Sequence, residues 1–316
     1  MIPCYRVSGQ VLDVLKRIGP EVDRIYCIDD ACPESSGRLI RAITGDPRIE
    51  VVVNTVNLGV GGATMVGYRR ALEDGADVIV KIDGDGQMDP VLLPQFVAPV
   101  LSGHADYAKG NRFWDLGNIG RMPLVRRLGN LALSFLAKAS TGYWNVFDPT
   151  NGYTAIHARM LEWLPLDRVS ARYFFESDLL FRLGTLRAVV VDVPMDARYG
   201  GQSSGLRPWA VVGEFTWKHL RNFVKRLGYN YFLRDLSVAS LQLLAGLILL
   251  VFAVGFGGWQ WWMHAQSGVA APLGTVMLAA LPAVMGFQLL LSFVGYDMAG
   301  VPVRAVWPML PHRRCR

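Results

Sequence analysis

Cysteine is scarce in this sequence, and the four that occur form no paired metal-binding motif. Cys27 and Cys32 are separated by four residues, which is not the spacing of a zinc site. The first nine residues lack the basic start and the long apolar stretch of a secretory signal, so we expect none there. Repeats of roughly 20–50 residues are also missing, which argues against a solenoid. Because the cysteines form no such motif, we expect them to be reduced thiols in a cytosolic domain.

Charge is missing from one long block. Residues 236–296 contain no Asp, Glu, Lys or Arg. The block divides into two stretches of about 27 uncharged residues, 236–262 and 268–294, each long enough to cross ~30 Å of hydrocarbon. The linker 260–267 is polar and aromatic, as expected at a membrane interface. These features predict an integral membrane hairpin, and a buried helical pair of a soluble domain is the weaker alternative.

Positive charge exceeds negative charge, with 32 Lys and Arg against 26 Asp and Glu. Such a balance favours an anionic partner, such as nucleic acid, an anionic membrane or a phosphorylated substrate. Basic residues flank both outer ends of the uncharged block, namely Lys225, Arg226, Arg234, Arg304, Arg313, Arg314 and Arg316. Because the linker has none, the positive-inside rule places the N-terminal domain in the cytoplasm. Since the basic residues cluster there, we expect no nucleic-acid partner.

The segment 209–227, just before the uncharged block, mixes apolar residues with Lys and Arg. This composition is typical of a helix that lies on an anionic membrane surface. A surface helix of the domain is the alternative interpretation. The position next to the block favours the membrane.

The first 200 residues alternate between two patterns. Short apolar runs at 24–29, 48–54 and 77–83 predict strands, and the segments 35–43, 61–72 and 90–101 have helical spacing. Alternation of this kind indicates an α/β fold with a mostly parallel sheet, whose ligands bind at the carboxyl ends of the strands. The first strand has room only for a stub around Pro3. We expect that the chain lacks several native residues there, the alternative being a short edge strand.

Carboxylates follow two of these strands. Asp83, Asp85 and the amide of Gln87 stand in a glycine-containing turn, and hard divalent cations bound to diphosphate prefer such oxygen ligands. The alternative is a solvated turn with a helix-capping Asp89. The pair at 29–30 could bond a nucleoside, or simply build a strand-end turn. The glycine-rich stretch 57–64 is neither a dinucleotide fingerprint nor a P-loop, but it allows close backbone approach at a helix start.

Several short motifs occur in an order that is specific enough to indicate a protein family. In chain order they are Ile2-Pro3-Cys4-Tyr5, Asp29-Asp30, Asn57-Leu58-Gly59 with Gly67, Asp83-Gly84-Asp85-Gly86-Gln87, Gly110-Asn111-Arg112 and Asp148-Pro149-Thr150-Asn151-Gly152-Tyr153. The set resembles glycosyltransferase family 2. With the two C-terminal spans it is similar to the polyprenyl-phosphate hexosyltransferases, that is, dolichol-phosphate mannose synthase and the bactoprenol glucosyltransferases. The resemblance implies a nucleotide-diphospho-sugar transferase (GT-A-like) fold, Mg²⁺ or Mn²⁺ as cofactor, and inversion at the sugar.

The resemblance also implies roles for individual residues. The metal would be held by Asp83, Asp85 and Gln87, and the catalytic residues would be Asp83, Asp85, Arg112 and Asp148. The nucleotide would be bound by Pro3, Tyr5, Asp29, Asp30, Asn57 and Gly59. The lipid phosphate would be bound by Arg112, Arg126, Arg198 and Ser203. Glu176 and Asp178 are further acidic candidates near the sugar, with helix-start acids as the alternative.

Three departures from the family pattern concern ligand contacts. Arg6-Val7 stands where the family has Asn-Glu, which puts the base contacts in doubt. Asn111 replaces a serine, and Ser204 replaces the lysine of the closing loop. One phosphate contact is therefore expected to be missing or moved.

These observations predict four regions: a catalytic domain at 1–205, an amphipathic juxtamembrane segment at 206–235, a transmembrane hairpin at 236–298 and a basic cytoplasmic tail at 299–316. The expected function is hexose transfer from a nucleotide-diphosphate sugar to polyprenyl phosphate, with membrane lipids as further partners. A family 2 enzyme with a glycan or glycolipid acceptor and an inactive sugar-nucleotide-binding protein are the alternatives. A processive polysaccharide synthase is disfavoured because no Gln-x-x-Arg-Trp motif occurs. The sugar, the base, the prenyl length and formation of a homo-oligomer stay open.

Overall fold

The computed structural model describes residues 1–114, 124–196 and 208–312. It consists of two compact units. The first unit comprises Met1–Phe223 together with Pro302–Arg316, and the second comprises Val224–Val301. The boundary predicted at residue 205 lies outside the described residues.

The described part of the first unit contains seven strands. Strands β1 (Ile2–Cys4), β2 (Ile25–Asp29) and β3 (Ile49–Val53) form a parallel sheet in that order. Strands β4 (Val78–Lys81), β5 (Tyr107–Asn111), β6 (Thr154–His157) and β7 (Val190–Pro194) form a second sheet in the order β4-β6-β5-β7, with β6 antiparallel to its neighbours. The Met1 ammonium donates to the Val80 carbonyl at 2.6 Å and the Ile82 amide donates to the Met1 carbonyl at 3.1 Å, so backbone bonds join β1 to β4.

Helices connect these strands. In chain order they are α1 (Val11–Lys16), α2 (Ser36–Ile43), α3 (Gly59–Glu73), α4 (Leu93–Leu101), α5 (Leu124–Thr141), α6 (Ala158–Glu162), α7 (Phe175–Thr185) and α8 (Pro208–Gly228). The predicted strands and helices of the first 101 residues and the amphipathic helix after residue 208 are confirmed. The sequence analysis did not predict the antiparallel β6. Phe96 of α4 stacks on Tyr153, just before β6, with ring centroids 3.9 Å apart, and both rings are fully buried in the core.

The second unit contains two long apolar helices, α9 (Val238–Ser267) and α10 (Leu273–Ala299). Both are long and apolar enough to cross a membrane. Their backbones approach closely where a Cβ on Gly246 would lie 3.1 Å from the Gly286 carbonyl oxygen. Near the outer ends of the two helices, buried Arg226 forms a bidentate ion pair with Asp297 at 2.6 and 3.0 Å. The predicted hairpin is therefore present as two packed helices.

The segment 302–312 belongs to the first unit. The basic cytoplasmic tail expected at 299–316 stays a prediction. The buried Asp106 carboxylate accepts hydrogen bonds from the amides of Val306 and Trp307, at 2.9 and 2.7 Å. The Trp307 indole stacks on His157 with centroids 3.6 Å apart and donates to the Val100 carbonyl at 3.1 Å. Burial lowers the pKa of His157 to about 4, so the stacked imidazole is neutral near pH 7.

Candidate active site

The predicted motifs meet at one edge of the joined sheets. Strands β1 and β2 are parallel and in register, with Cys4 opposite Asp29, so the residues that follow them emerge side by side. The turn after β4 reaches the same edge, because a Cβ on Gly84 would lie 3.5 Å from the Pro3 carbonyl oxygen. The carboxyl ends of the strands thus form the candidate site, as the α/β pattern predicts.

The turn after β4 presents two carboxylates. Asp83 and Asp85 are half-buried, and the backbone N–H of Gln87 donates to Asp85 Oδ1 at 3.0 Å. Gly86 has φ +77°, a conformation that lets the chain reverse tightly here. Burial, together with the charge of Asp83, raises the pKa of Asp85. Asp89 caps the next helical turn by accepting from the Val91 amide at 3.1 Å, so the capping interpretation holds for that residue.

The donor atoms of this turn suit a divalent cation. Carboxylate and amide oxygens are ligands that Mg²⁺ and Mn²⁺ accept, and the repulsion between Asp83 and Asp85 is relieved by a bound cation. Within the described ranges, no group of three or more His, Cys, Asp and Glu side chains could enclose a metal. If this turn holds a cation, Asp83, Asp85 and Gln87 are the side chains that would bind it.

The carboxylates at the end of β2 shape the neighbouring loops. Buried Asp29 accepts from the amides of Cys32 and Gly37 at 2.8 and 2.7 Å. Buried Asp30 accepts from the amides of Leu58 and Gly59 and from Asn54, each at 2.8 Å. Both carboxylates are thus engaged within the protein, as in the strand-end interpretation, and their contact with a nucleoside stays a prediction.

The other predicted nucleotide residues differ in exposure. Pro3 is buried within β1, whereas the Tyr5 ring is 43% exposed and free to stack on a planar ligand. The Arg6 guanidinium lies 5.5 Å from the centroid of that ring. The Asn57 side chain donates to the Asp30 carbonyl at 3.3 Å. Gly59 has φ +82°, and a Cβ there would lie only 2.7 Å from the Ala171 carbonyl oxygen.

The Arg112 side chain is held by Asp148. Its Nε and Nη2 donate to the two carboxylate oxygens at 2.7 and 3.0 Å, and Asp148 is 1% exposed while the Arg112 side chain is 29% exposed. Asn151 Nδ2 also donates to Asp148, at 3.2 Å. The structure makes Asp148 a support that fixes a half-buried cation at the end of β5. Direct contact of Asp148 with a sugar stays a prediction.

Beneath the site runs a row of polar side chains that crosses four strands. Lys81 of β4 and Lys109 of β5 both pair in register with Thr154 of β6, and Lys109 also pairs with Asp192 of β7. Side chains directly opposite one another point to the same face of a sheet, so two buried lysines share a face. Glu176, in the first turn of α7, interacts electrostatically with both lysines.

Burial shifts the pKa values of three of these groups. It lowers the pKa of Lys109 to about 8, raises that of Asp192 to about 6 and raises that of Glu176 to about 7, although both lysines oppose the last shift. Sequence reasoning considered Glu176 but missed Lys81, Lys109 and Asp192. The signal was available, because each lysine interrupts or ends an otherwise apolar strand.

The remaining predicted positions divide into two groups. Asn111, which departs from the family serine, donates to Asp192 at 3.0 Å and accepts from the Phe113 amide at 2.9 Å. Asp178 accepts from the Ser170 amide at 2.8 Å and is buried, in keeping with a structural helix-start acid. The side chain of Arg126 and residues 198 and 203, predicted to bind lipid phosphate, lie outside the described residues.

Comparison with known proteins gives relatives with sugar-transferase names. An undecaprenyl-phosphate mannosyltransferase of Micrococcus luteus is 32% identical over 227 residues, which cover 69% of this chain and 92% of the relative. A UDP-N-acetylglucosamine–dolichyl-phosphate N-acetylglucosaminyltransferase of Methanococcus voltae is 26% identical and covers 63% and 84%. A dolichol-phosphate mannosyltransferase of Pyrococcus furiosus is 20% identical and covers 79% and 69%.

The fold is shared with a solved enzyme. Glucosyl-3-phosphoglycerate synthase from Mycobacterium tuberculosis, crystallised with Mn²⁺, UDP and phosphoglyceric acid, has a TM-score of 0.51 at 21% identity and covers 72% of this chain and 77% of its own. The expected GT-A-like fold is therefore confirmed. The family model described as glycosyl transferase family 2 matches residues 1–164. This match, together with the 32% identical relative, shows that the chain belongs to glycosyltransferase family 2.

Proposed function

We propose that this protein transfers a hexose from a nucleotide-diphosphate sugar to polyprenyl phosphate at a membrane surface. The observation that supports it most directly is the meeting of two opposite charge arrangements at one sheet edge. The acidic turn at Asp83 and Asp85 suits a metal-bound diphosphate, and Arg112, fixed by Asp148, suits an anionic acceptor. Three relatives named for lipid-phosphate acceptors and two helices of membrane-spanning length agree with this proposal.

On the donor side, the proposal includes a divalent cation, Mg²⁺ or Mn²⁺. Asp83 and Asp85, with the Gln87 side chain, would hold it, and when bound it would act as a Lewis acid that stabilises the departing diphosphate. Glucosyl-3-phosphoglycerate synthase, which shares the fold, was crystallised with Mn²⁺ and UDP, and this supports the use of a divalent metal. Tyr5, with its exposed ring, would stack on the base.

On the acceptor side, the chemistry needs alignment more than proton removal. A lipid phosphate is already an anion near neutral pH, so its oxygen can attack the anomeric carbon without a strong general base. Arg112 would hold that phosphate through charge-assisted hydrogen bonds while Asp148 and Asn151 keep the guanidinium in place. Attack opposite the leaving diphosphate gives inversion at the sugar.

The proposed topology places both outer ends of the hairpin on the side of the catalytic domain, in the cytoplasm. Met1–Phe223 and the segment that begins at Pro302 both belong to the first unit, which supports an even number of crossings. The flanking basic residues support the cytoplasmic side. In a Cys315→Ser background, an impermeant thiol reagent outside sealed cells should label Ser267→Cys and not the exposed Ser102→Cys. Labelling of Ser102→Cys alone would overturn the orientation.

The activity is tested directly with a panel of labelled nucleotide sugars and polyprenyl phosphate in detergent. We expect one donor to transfer label into the organic phase, and EDTA to abolish the transfer. Asp85→Asn should reduce the rate by about two orders of magnitude or more. Asp89→Asn is the matched control, because it removes a nearby carboxylate that caps a helical turn and pairs with Arg17.

Two results would contradict the proposal. Full activity in excess EDTA would show that transfer does not need a metal-bound diphosphate. In a second result, label would be transferred to a water-soluble phosphorylated acceptor and none would enter the organic phase. The protein would then still be a sugar transferase, but its acceptor would not be a lipid phosphate.

A further inference from the structure

The buried ammonium group of Lys81 lies directly behind the acidic turn. The Lys81 side chain is 1% exposed, and its Nζ lies 2.7 Å from Asp83 Oδ1. A fully buried lysine is rare in proteins unless it is paired with an acid. Lys81 is thus an internal counter-ion of one of the two carboxylates proposed to hold the metal.

The surroundings of Lys81 keep its charge in that position. Nζ lies 5.1 Å from the centroid of the Phe175 ring and makes no directed hydrogen bond within the described ranges. Gly152 packs against the ion pair so closely that a Cβ there would lie 2.5 Å from Nζ and 2.6 Å from Asp83 Oδ2. The interactions of this group are therefore electrostatic rather than directed hydrogen bonds, and they involve Asp83 at 2.7 Å and the buried Glu176.

This pairing limits the negative charge that the turn offers to a cation. Asp83, Asp85 and Lys81 together carry one net negative charge. The two buried groups that also interact with Lys81, Glu176 and Lys109, have opposite charges when ionised and offset one another. The described residues supply no third carboxylate, histidine or cysteine to form a closed metal site. A free divalent cation therefore meets a weakly charged, incompletely ligated site, whereas a diphosphate would bring both the missing charge and the missing oxygens.

We propose that Lys81 is a positioning residue that makes divalent-metal binding depend on the nucleotide diphosphate. This inference rests on the proposed function, because it concerns the same metal site. Lys81 holds Asp83 in place and lowers the affinity for the free metal, so that the metal is retained only together with the diphosphate of the donor. Without the lysine charge, the turn binds the free metal more tightly and the dependence weakens.

The test measures Mn²⁺ binding to the full chain in detergent by electron paramagnetic resonance, alone and with UDP or GDP added separately. For the unsubstituted protein we expect weak binding of Mn²⁺ alone and at least about tenfold tighter binding with one of the diphosphates. Lys81→Gln keeps a hydrogen-bond donor near Asp83 but removes the charge. We expect it to bind Mn²⁺ alone about tenfold more tightly and to show a correspondingly smaller effect of the diphosphate.

Two further variants make the result specific. Lys109→Met removes the other buried lysine of the same row, whose Nζ donates to the Asn151 carbonyl and not to Asp83. It should leave Mn²⁺ affinity within about twofold of the unsubstituted protein, since the charge removed lies about two strand spacings from Lys81. Lys81→Met is a second neutral variant for the case in which Lys81→Gln does not fold.

The outcomes separate the two proposals. If neither diphosphate tightens Mn²⁺ binding to the unsubstituted protein, the metal-bound donor of the proposed function fails. If the diphosphate effect is present but unchanged in the neutral variants, or if these variants bind Mn²⁺ more weakly, only the inference about Lys81 is overturned. Loss of folding in both neutral variants would also overturn it, in favour of a purely structural lysine.

Discussion

Substitution of Asp148 by Asn tests whether this buried carboxylate acts through Arg112. The carboxylate accepts from Arg112 Nε at 2.7 Å and Nη2 at 3.0 Å, and from Asn151 at 3.2 Å. An asparagine has nearly the same shape but no charge and only one acceptor oxygen. The substitution therefore removes one of the two bonds to the guanidinium and weakens the other, without opening a cavity.

The size of the effect follows from these contacts. Hydrogen bonds to charged groups contribute about 1.5–3 kcal/mol, and those between neutral groups about 1 kcal/mol. Because the Arg112 side chain is 29% exposed, water compensates for part of the loss. We estimate a net loss of about 2 kcal/mol, which corresponds to about a thirtyfold reduction in kcat/KM for polyprenyl phosphate.

The assay is steady-state transfer with the acceptor and the donor varied in turn. Asp148→Asn should change the acceptor kinetics and leave the KM of the nucleotide sugar within about threefold, as Arg112→Gln should. Asp192→Asn is the matched control, because it removes the charge of a neighbouring half-buried carboxylate that contacts Asn111 and the Phe147 amide. The double variant Arg112→Gln with Asp148→Asn should be no worse than Arg112→Gln alone. Fully additive effects, or unchanged acceptor kinetics in Asp148→Asn, would refute this reasoning.

Three further predictions concern the supporting structure. Trp307→Ala should cost about 2 kcal/mol, measured by thermal unfolding of the first unit in detergent, because it removes a half-buried ring and one hydrogen bond, whereas Met309→Ala, which is 58% exposed, should be nearly neutral. Burial raises the pKa of Glu176 from 4.5 to about 7. The contribution of its protonated carboxyl to the free energy of unfolding is therefore fully present below pH 4.5 and is lost as the pH rises through 7. Glu176→Gln should therefore raise the Tm more at pH 8 than at pH 5, and equal gains would contradict the shift. Gly152→Ala places a Cβ 2.6 Å from Asp83 Oδ2 and should lower the transfer rate at least about tenfold. Full activity of this variant would show that Asp83 can shift without loss of function.

Periodicity and turn chemistry predicted much of the fold. The apolar runs before Asp29 and before Asp83 are β2 and β4, and the helix predicted at 61–72 is α3 at Gly59–Glu73. Strand β6 was missed because its sequence, Thr154–His157, is short and follows a motif that was interpreted only as a site. Its antiparallel direction depends on long-range pairing with β4 and β5, which no local pattern encodes.

The candidate site was predicted less completely than the fold. Spacing identified Asp83 and Asp85 because the two carboxylates are neighbours in the sequence. The link between Arg112 and Asp148 joins residues 36 positions apart, and the row from Lys81 to Asp192 joins four strands. Such partnerships depend on sheet order and register, so a sequence motif can name the residues without showing which of them support the others.

The two sides of the candidate site differ in how their charges are held, and the difference matches what each proposed substrate would bring. A nucleotide-diphosphate donor carries its own metal-binding oxygens, so its side needs only a weakly charged turn, and Lys81 keeps Asp83 and Asp85 in that state. A lipid phosphate brings a single anionic group and no metal. Its side therefore needs a cation that is already oriented, which the buried Asp148 provides by fixing Arg112. Loss of Lys81 should thus alter metal binding first, and loss of Asp148 should alter acceptor use first.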